Sequence, residues 1–398
     1  MALVVAVVVA EAAVVLLRPR GGIIEPAHVR PQSYFSAQQI ERARDFQRPQ
    51  LVLYGGILVV ELALLALLVA RPPRRLRGPF RRPLLAAALA GAALSVAVSA
   101  APLPLKVVAR ERARDVGLVT QSWGGYAADL AKSWALAALF AALGALVAVG
   151  LIRRFPCGWW LPGSVIVVAF GAATVYAGPV LLDPLFNSFK RVPPGQTRAD
   201  VLELARKAGV EVGAVYEVDA SRRTTAANAY VTGLGHTKRV VLYDTLLKNF
   251  ERDELRLVVA HELAHVHHED IRNALLYLAI VAPFGLLAVA CLTRRLAPGD
   301  GLRPDPALLP ALALSVVIVS ATLTVVSNQL SREVEARADS FALRLDGQPD
   351  AFISFERAIA LRNLSDPDPP GWVTFLTATH PATIERIGIG EAYRRGAR

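Results

Sequence analysis

Seven apolar runs, each close to the length of a bilayer-spanning helix, set the first limit on what this chain can fold into. They fall at about 1–17, 51–70, 84–103, 134–152, 164–182, 273–292 and 307–326, against the roughly 20 apolar residues a helix needs to cross hydrocarbon. Lipid offers no partner to a backbone N–H or C=O, so runs of this length without strand alternation are helices. The chain has 398 residues, is 54% hydrophobic and has a mean hydropathy of +0.40. These values fit an integral, multi-pass membrane protein and exclude an ordinary soluble domain. The first run has no basic residues before it and carries Arg18 and Arg20 behind it, so it reads as an uncleaved span rather than a signal peptide. Pro283 and Pro310 lie within the sixth and seventh runs and are expected to kink them. Glu11 and Glu61, also inside runs, are expected to face the bundle interior, neutral or paired.

The formal charge of +11 comes almost wholly from arginine, much of it in short segments between apolar runs. It therefore reads as topology and lipid headgroup contact, not nucleic-acid binding. Cys157 and Cys291 lie far in sequence from the histidines. They offer no cysteine-based metal site, and the sequence around them gives little reason for a disulfide.

The polar segments carry the chemistry. Residues 36–46 read as a helix ended by Arg48-Pro49, and 198–208 as another; alternating stretches near 212–218, 228–232 and 239–243 read as a small sheet. A further helix starts near Arg252-Asp253-Glu254 and contains His261-Glu262-Leu263-Ala264-His265. At 3.6 residues per turn, His261 and His265 lie on one face and can present imidazole nitrogens to one zinc ion, with Glu262 beside them. Two imidazoles and one further ligand leave a coordination position for water, which the carboxylate can deprotonate. Charged residues flank the motif, from Arg252 to Arg256 before it and Glu269, Asp270 and Arg272 after it, so the helix is expected at or outside the membrane surface.

The third ligand is sought after the seventh run. Glu335 has Asp339 four residues on, so a metal ligand and a carboxylate that accepts a hydrogen bond from a ligand histidine can share one helix face. Glu333 has Arg337 at the same spacing and reads as a surface pair, so Glu335 is the choice. His268 faces the metal side and is assigned a supporting or solvated role; His267, His236 and His28 are given surface roles. His380, before Pro381, has no role on spacing alone. The segmentation is 1–182 with five spans, 183–272 with the sheet and zinc-motif helix, 273–326 with two spans, and 327–398 with the third ligand and a catalytic tail.

From about residue 33 to 390 the chain resembles the type I CAAX prenyl endopeptidases, seven-span membrane zinc metallopeptidases. The shared pattern comprises Phe46-Gln47-Arg48-Pro49, Pro184-Leu185-Phe186-Asn187, Asn228-Ala229-Tyr230, Arg239 to Leu247, and His261-Glu262-x-x-His265. It continues with Asn328-x-x-Ser331-Arg332-x-x-Glu335-x-x-Ala338-Asp339 and His380-Pro381. The resemblance implies an all-α membrane protein: seven transmembrane helices around a water-filled chamber, closed at one end by a zinc metallopeptidase domain with a small β-sheet. It implies zinc on His261, His265 and Glu335, Asp339 as the partner of a ligand, Glu262 as the base and His380 as a stabiliser of the oxyanion. It also implies that the strand Asn228-Ala229-Tyr230 holds substrate by edge pairing. Two departures are Ala264, where family members often have glycine, and Ala226-Ala227, where the eukaryotic pattern has His-Ser.

The expected function is zinc-dependent hydrolysis of peptide bonds in membrane-associated proteins or peptides. The Ala- and Arg-rich composition points to a high-GC bacterial gene, hence to quality control or peptide processing in the cell membrane rather than prenyl-protein maturation. A membrane scaffold or translocon-associated factor with a structural zinc is the alternative, and Glu262 argues against it. The expected partners are a peptide or membrane-protein substrate and the lipid bilayer; oligomeric state has no signature here. Seven spans place the first, third and fifth loops and the C-terminus on one side. Arginines of the other loops, including Arg71, Arg74, Arg75, Arg77 and Arg303, favour an external site, whereas the family's cytosolic precedent tips the expectation to the cytoplasm.

Overall fold

The computed structural model describes residues 1–73, 76, 80–233, 238–297 and 305–396. His236, Arg74, Arg75, Arg77 and Arg303 lie outside them. Its first half is helical: α1 (Ala2–Leu17), α2 (Ala37–Ala70), α3 (Pro83–Ala100), α4 (Leu103–Asp115), α5 (Trp123–Arg154), α6 (Trp160–Leu181) and the single turn α7 (Asp183–Phe186). Two long helices return later, α11 (Asp270–Leu296) and α12 (Leu309–Asp346). Among the described residues six helices, α2, α3, α5, α6, α11 and α12, are long and apolar enough to cross a membrane. The expected count of seven is not met in full. The run at 1–17 forms α1, an apolar helix of 16 residues, about 24 Å long against a hydrocarbon core of about 30 Å. Its Ala6, Ala10 and Ala13 are buried, and the helix packs against α11 and α12.

Prolines behave differently from the expectation. Pro49 does not end the helix that begins at Ala37; α2 runs through it to Ala70. A proline at position 49 frees the carbonyl four residues earlier, and Arg112 Nη2 donates to that Asp45 carbonyl at 3.2 Å. Gln50 next to it donates to the Ala109 carbonyl at 2.9 Å, so α4 supplies the missing bonding. Pro310 occupies the first turn of α12, where its absent N–H breaks no bond, so it is not a kink position. Pro283 lies within the uninterrupted α11. The two intramembrane carboxylates are partnered: Glu11 accepts from Gln329 Nε2 at 3.0 Å and Glu61 pairs with Lys106 at 3.5 Å. Cys157 and Cys291 are free thiols.

The segment after α7 builds a four-stranded sheet of order β1-β2-β4-β3, from β1 (Phe189–Arg191), β2 (Ala214–Val218), β3 (Ala229–Thr232) and β4 (Arg239–Tyr243). The central β4 runs parallel to β2 and antiparallel to β3. Its Val240, Val241 and Leu242 are fully buried, the continuous apolar run of a strand covered on both faces. Strand β1, absent from the sequence expectation, is three residues long with an exposed Lys-Arg pair, too short and polar for a periodic signal. Helix α8 (Gln196–Lys207), α9 (Asp244–Asn249) and α10 (Arg252–His267) follow the strands. Val201, Leu204, Val215, Leu242, Val259 and Leu263 unite α8, the sheet and α10 in one core.

Helix α10 carries the two motif histidines, and its position is set at both ends. Its first turn is closed by reciprocal bonds between Glu251 and Glu254. The nearly buried Arg256 reaches Asp346 at the end of α12 and Asp200 and Glu203 on α8, at 2.6, 3.1 and 3.0 Å. The chain closes with α13 (Pro349–Arg362), α14 (Gly371–Thr377) and α15 (Thr383–Arg394). Helix α15 lies against the extended segment before α2: the Gly388 carbonyl accepts from Ala27 N at 2.9 Å, and a Cβ on Gly388 would sit 2.5 Å from the Ala27 carbonyl oxygen. Gly388→Ala is therefore expected to destabilise the fold by about 1–3 kcal/mol, seen as a lower melting midpoint of the detergent-solubilised protein. Gly144→Ala, where a methyl meets nothing within 4 Å, should leave the midpoint unchanged.

Candidate metal centre

Helices α10 and α12 bring His261, His265 and Glu335 together, with one donor atom from each within 4.8 Å of the others. His261 Nε2 and His265 Nε2 are 3.3 Å apart, and Glu335 Oε2 lies 3.1 and 3.7 Å from them. Four-residue spacing on α10 stacks the two rings, which meet edge to face.

The rings are aimed by carboxylates behind them. His261 Nδ1 is 2.9 Å from Asp339 Oδ1, and His265 Nδ1 is 2.9 Å from Asp270 Oδ2. An ionised carboxylate only accepts, so both Nδ1 atoms donate and both Nε2 atoms turn a lone pair inwards. Those lone pairs meet the oxygen Glu335 Oε2, which is buried and has no hydrogen-bond partner among the described residues. Lone pairs that converge in this way repel unless a cation, either a shared proton or a metal ion, lies between them. The donor set therefore fits a metal ion that accepts nitrogen and oxygen ligands.

Asp339 lies where helical spacing put it, fully buried. The residues behind it had no signal in the sequence. Arg386 on α15 grips both Asp339 oxygens at 2.7 and 2.6 Å and passes its Nη1 to Glu356 on α13 at 2.9 Å. Burial pushes the Glu356 carboxyl up to about 7, opposed by the Arg386 charge. Asp270, which holds His265, was also missed, because it is not on α10. Glu269 adopts the left-handed conformation, φ 55°, and α11 starts at Asp270 after that turn. A non-glycine residue with positive φ is uncommon, and here it swings Asp270 back under His265. Asp270 is itself held by Arg337, which corrects the expected Glu333–Arg337 surface pair: a residue two positions from Glu335 has an inward carboxylate to reach.

Glu262 lies beside His261 in the wall of a cavity that also includes Asn228 and His380. Burial raises its carboxyl above the usual range, the direction wanted in a group that must take up a proton near neutrality. His380 follows α14 and stands half exposed, its Nε2 3.2 Å from Glu335 Oε2 and its Nδ1 2.9 Å from the Thr379 hydroxyl. Of the expected strand residues, Asn228 is exposed and reaches the cavity. Ala229 is buried in the sheet core, and the Tyr230 hydroxyl donates to Asp183 at 3.1 Å; neither side chain joins the cavity. His268 is outside the donor cluster, against Phe341, and burial pulls its ring down to about 4. His267 contacts the Ala208 carbonyl at 2.8 Å, fastening α10 to the end of α8.

Comparisons with known proteins agree with the geometry. The model of peptidase family M48 matches residues 194–389, from the start of α8 to α15. The chain is 32% identical over 305 residues to "Uncharacterized metalloprotease YhfN" of Bacillus subtilis, covering 75% of this chain and 71% of that one. It is 30% identical over 264 residues to "Probable CAAX prenyl protease 1" of Schizosaccharomyces pombe, with 65% and 56% covered. It is 28% identical over 237 residues to "CAAX prenyl protease 1 homolog" of Oryza sativa, with 58% and 55% covered. The match thus spans about half the length of the two eukaryotic relatives. In structure, the crystal structure of S. mikatae Ste24p superposes with a TM-score of 0.78 at 18% identity, covering 98% of this chain and 96% of that one. That likeness of fold covers the membrane helices as well as the sheet segment, and the fold is that of an integral, multi-pass membrane protein. With the metalloprotease relative matched over most of its length, the chain belongs to peptidase family M48.

Proposed function

We propose that the protein is a zinc endopeptidase that cleaves membrane-associated proteins or peptides, with the ion held by His261, His265 and Glu335. The observation that carries this reading is the convergence of three donors whose rings are locked from behind by Asp339 and Asp270. Ligands at about 2.0–2.1 Å from a tetrahedral zinc lie roughly 3.3–3.4 Å apart; the observed separations of 3.3, 3.1 and 3.7 Å bracket that value. Bound there, zinc supplies Lewis-acid polarisation of the scissile carbonyl and makes an attacking water more acidic.

The chain's own residues do the rest. Glu262 takes the proton of the attacking water and hands it to the leaving nitrogen, its raised affinity for a proton matching both transfers. His380 donates Nε2–H to the oxygen on which negative charge develops. Among the described residues strand β3 ends the sheet, with β4 on one side only, and that edge can pair with an extended substrate backbone. A purely structural site would have no use for a carboxylate beside the donors, which weighs against a scaffold. The metalloprotease relative is bacterial, and since bacteria generally lack prenylated substrates, the reading is quality control or peptide processing at a cell membrane rather than prenyl-protein maturation. The precedent of the resembling family supports a cytoplasmic catalytic face, against the arginines of the second, fourth and sixth loops, which favour an external one.

Glu262→Gln is expected to keep fold and metal content while peptide hydrolysis falls by at least about 10²-fold; a variant that still cleaves at the wild-type rate would refute the assignment. Asp270→Ala should weaken metal retention about 10–100-fold, read as metal content after graded chelation, without unfolding the bundle. A reporter active only in the cytoplasm, fused after Arg398, should be active; an export-dependent reporter active at that point instead would place the site outside.

A further inference from the structure

The membrane helices pack closely in pairs. Gly91 lets α3 lie tight on α5, since a Cβ there would meet Ala145 Cβ at 2.6 Å, and Gly171 lets α6 lie tight on α11, where a Cβ would meet Leu278 Cδ2 at 2.7 Å. Between the two pairs, α5 and α6 are joined by a short turn yet scarcely touch along their length. A cavity of about 610 Å³ separates them, backed by α11 and α12, and its volume falls in the range of about 300–1,000 Å³ usual for small-molecule sites. Apart from Ser95 and the Trp159 indole its lining is apolar, so water would find too few polar partners there and hydrocarbon suits it.

Depth selects the kind of hydrocarbon. On α5 the lining runs from Leu151 to Phe140, about 16 Å at 1.5 Å per residue, and on α6 it runs as far again from Trp159 to Phe170. A hydrocarbon core about 30 Å thick gives each leaflet half that depth, so the cavity has the reach of an acyl chain in one leaflet. Charge selects the headgroup. At the end where the cavity starts, Arg153 and Arg154 close α5, Arg81 and Arg82 precede α3, and Arg294 and Arg295 close α11, all exposed. Arg294 donates to the Pro156 carbonyl at 3.0 Å, and none of the six pairs with a carboxylate among the described residues. Arginines at a membrane surface attract anionic headgroups, whereas a zwitterionic headgroup brings a cation of its own. Glu335 lies about 39 Å along α12 from Leu309, which lines the cavity, so this place is separate from the metal centre.

We infer that the crevice between α5 and α6 is a binding site for one anionic phospholipid, with an acyl chain in the cavity and the phosphate among the arginines at the ends of α5 and α11 and the start of α3. The chain completes the packing between the two helix pairs, and its binding is independent of the peptidase chemistry proposed above.

Native mass spectrometry of the full-length protein tests this, after delipidation in nonionic detergent and addition of dioleoylphosphatidylglycerol or dioleoylphosphatidylcholine. One phosphatidylglycerol per chain should be retained, about tenfold more than phosphatidylcholine. Phe140, Gly144, Ala148 and Leu151 form the face of α5 that lines the cavity, and a Cβ on Gly144 meets nothing within 4 Å. Gly144→Leu therefore fills the space without loss of helix propensity, and retention of phosphatidylglycerol should fall about tenfold. Arg153→Gln combined with Arg154→Gln leaves the cavity intact and should lower the preference for phosphatidylglycerol over phosphatidylcholine about threefold; this variant carries the test where the leucine variant does not fold. Equal retention of the two lipids by the wild type, full retention by a folded Gly144→Leu protein, or an unchanged preference in the arginine variant overturns the assignment. A farnesylated peptide that displaces phosphatidylglycerol at equal concentration would overturn it too, giving the cavity to an isoprenyl chain.

Discussion

A buried positive charge, the Arg386 guanidinium, is the interaction on which the arrangement of the metal centre depends. It sits on α15, holds Asp339 on α12 with two hydrogen bonds, and reaches Glu356 on α13; Asp339 in turn holds the ring of His261 on α10. Four helices therefore share one cation. Burying such a network gives little net stability, but removing one member leaves its partners charged and unpaired, at about 3–5 kcal/mol. Alternative packings of these helices are excluded by that cost. The direction of the His261 lone pair is thus a product of contacts made far from it in sequence.

The other two donors are referred to the membrane helices. Glu335 lies on α12, one helix of 38 residues, about 57 Å at 1.5 Å per residue. It has no break between its apolar part and its carboxylates. His265 is oriented by Asp270, the first residue of α11. The membrane bundle is therefore part of the template that sets the separation of the donors, and a shift of α11 against α12 moves His265 relative to Glu335. This accounts for a site built from two segments that flank a pair of spans rather than from one contiguous soluble segment.

Much of this was legible in the sequence where the signal is local. The apolar runs gave helices at the expected places, and helical spacing alone selected Glu335 with Asp339 over Glu333 with Arg337. Local signals failed where tertiary contacts intervene. Pro49 reads as a stop, yet Arg112 on a later helix bonds the carbonyl it frees. Asp270 is five residues from His265, a spacing that no continuous helix would favour, and only the left-handed turn at Glu269 brings it round. Arg386 and Glu356 lie 47 and 17 residues beyond Asp339 in a tail with ordinary helical patterning. Nothing in such a pattern marks which charged residue will be turned inwards.

The proposed grip of the sheet edge on substrate reads backbone rather than side chains. Along β3, Ala229 is buried in the sheet core and Tyr230 is engaged with Asp183, so that edge offers a substrate mainly backbone groups. Backbone pairing grips any extended chain and distinguishes poorly between sequences. Glu356 anchors Arg386, and Arg386 anchors the Asp339 that aims His261, so the α13 wall of the cavity beside Glu262 and the aim of a donor ring depend on one buried cation.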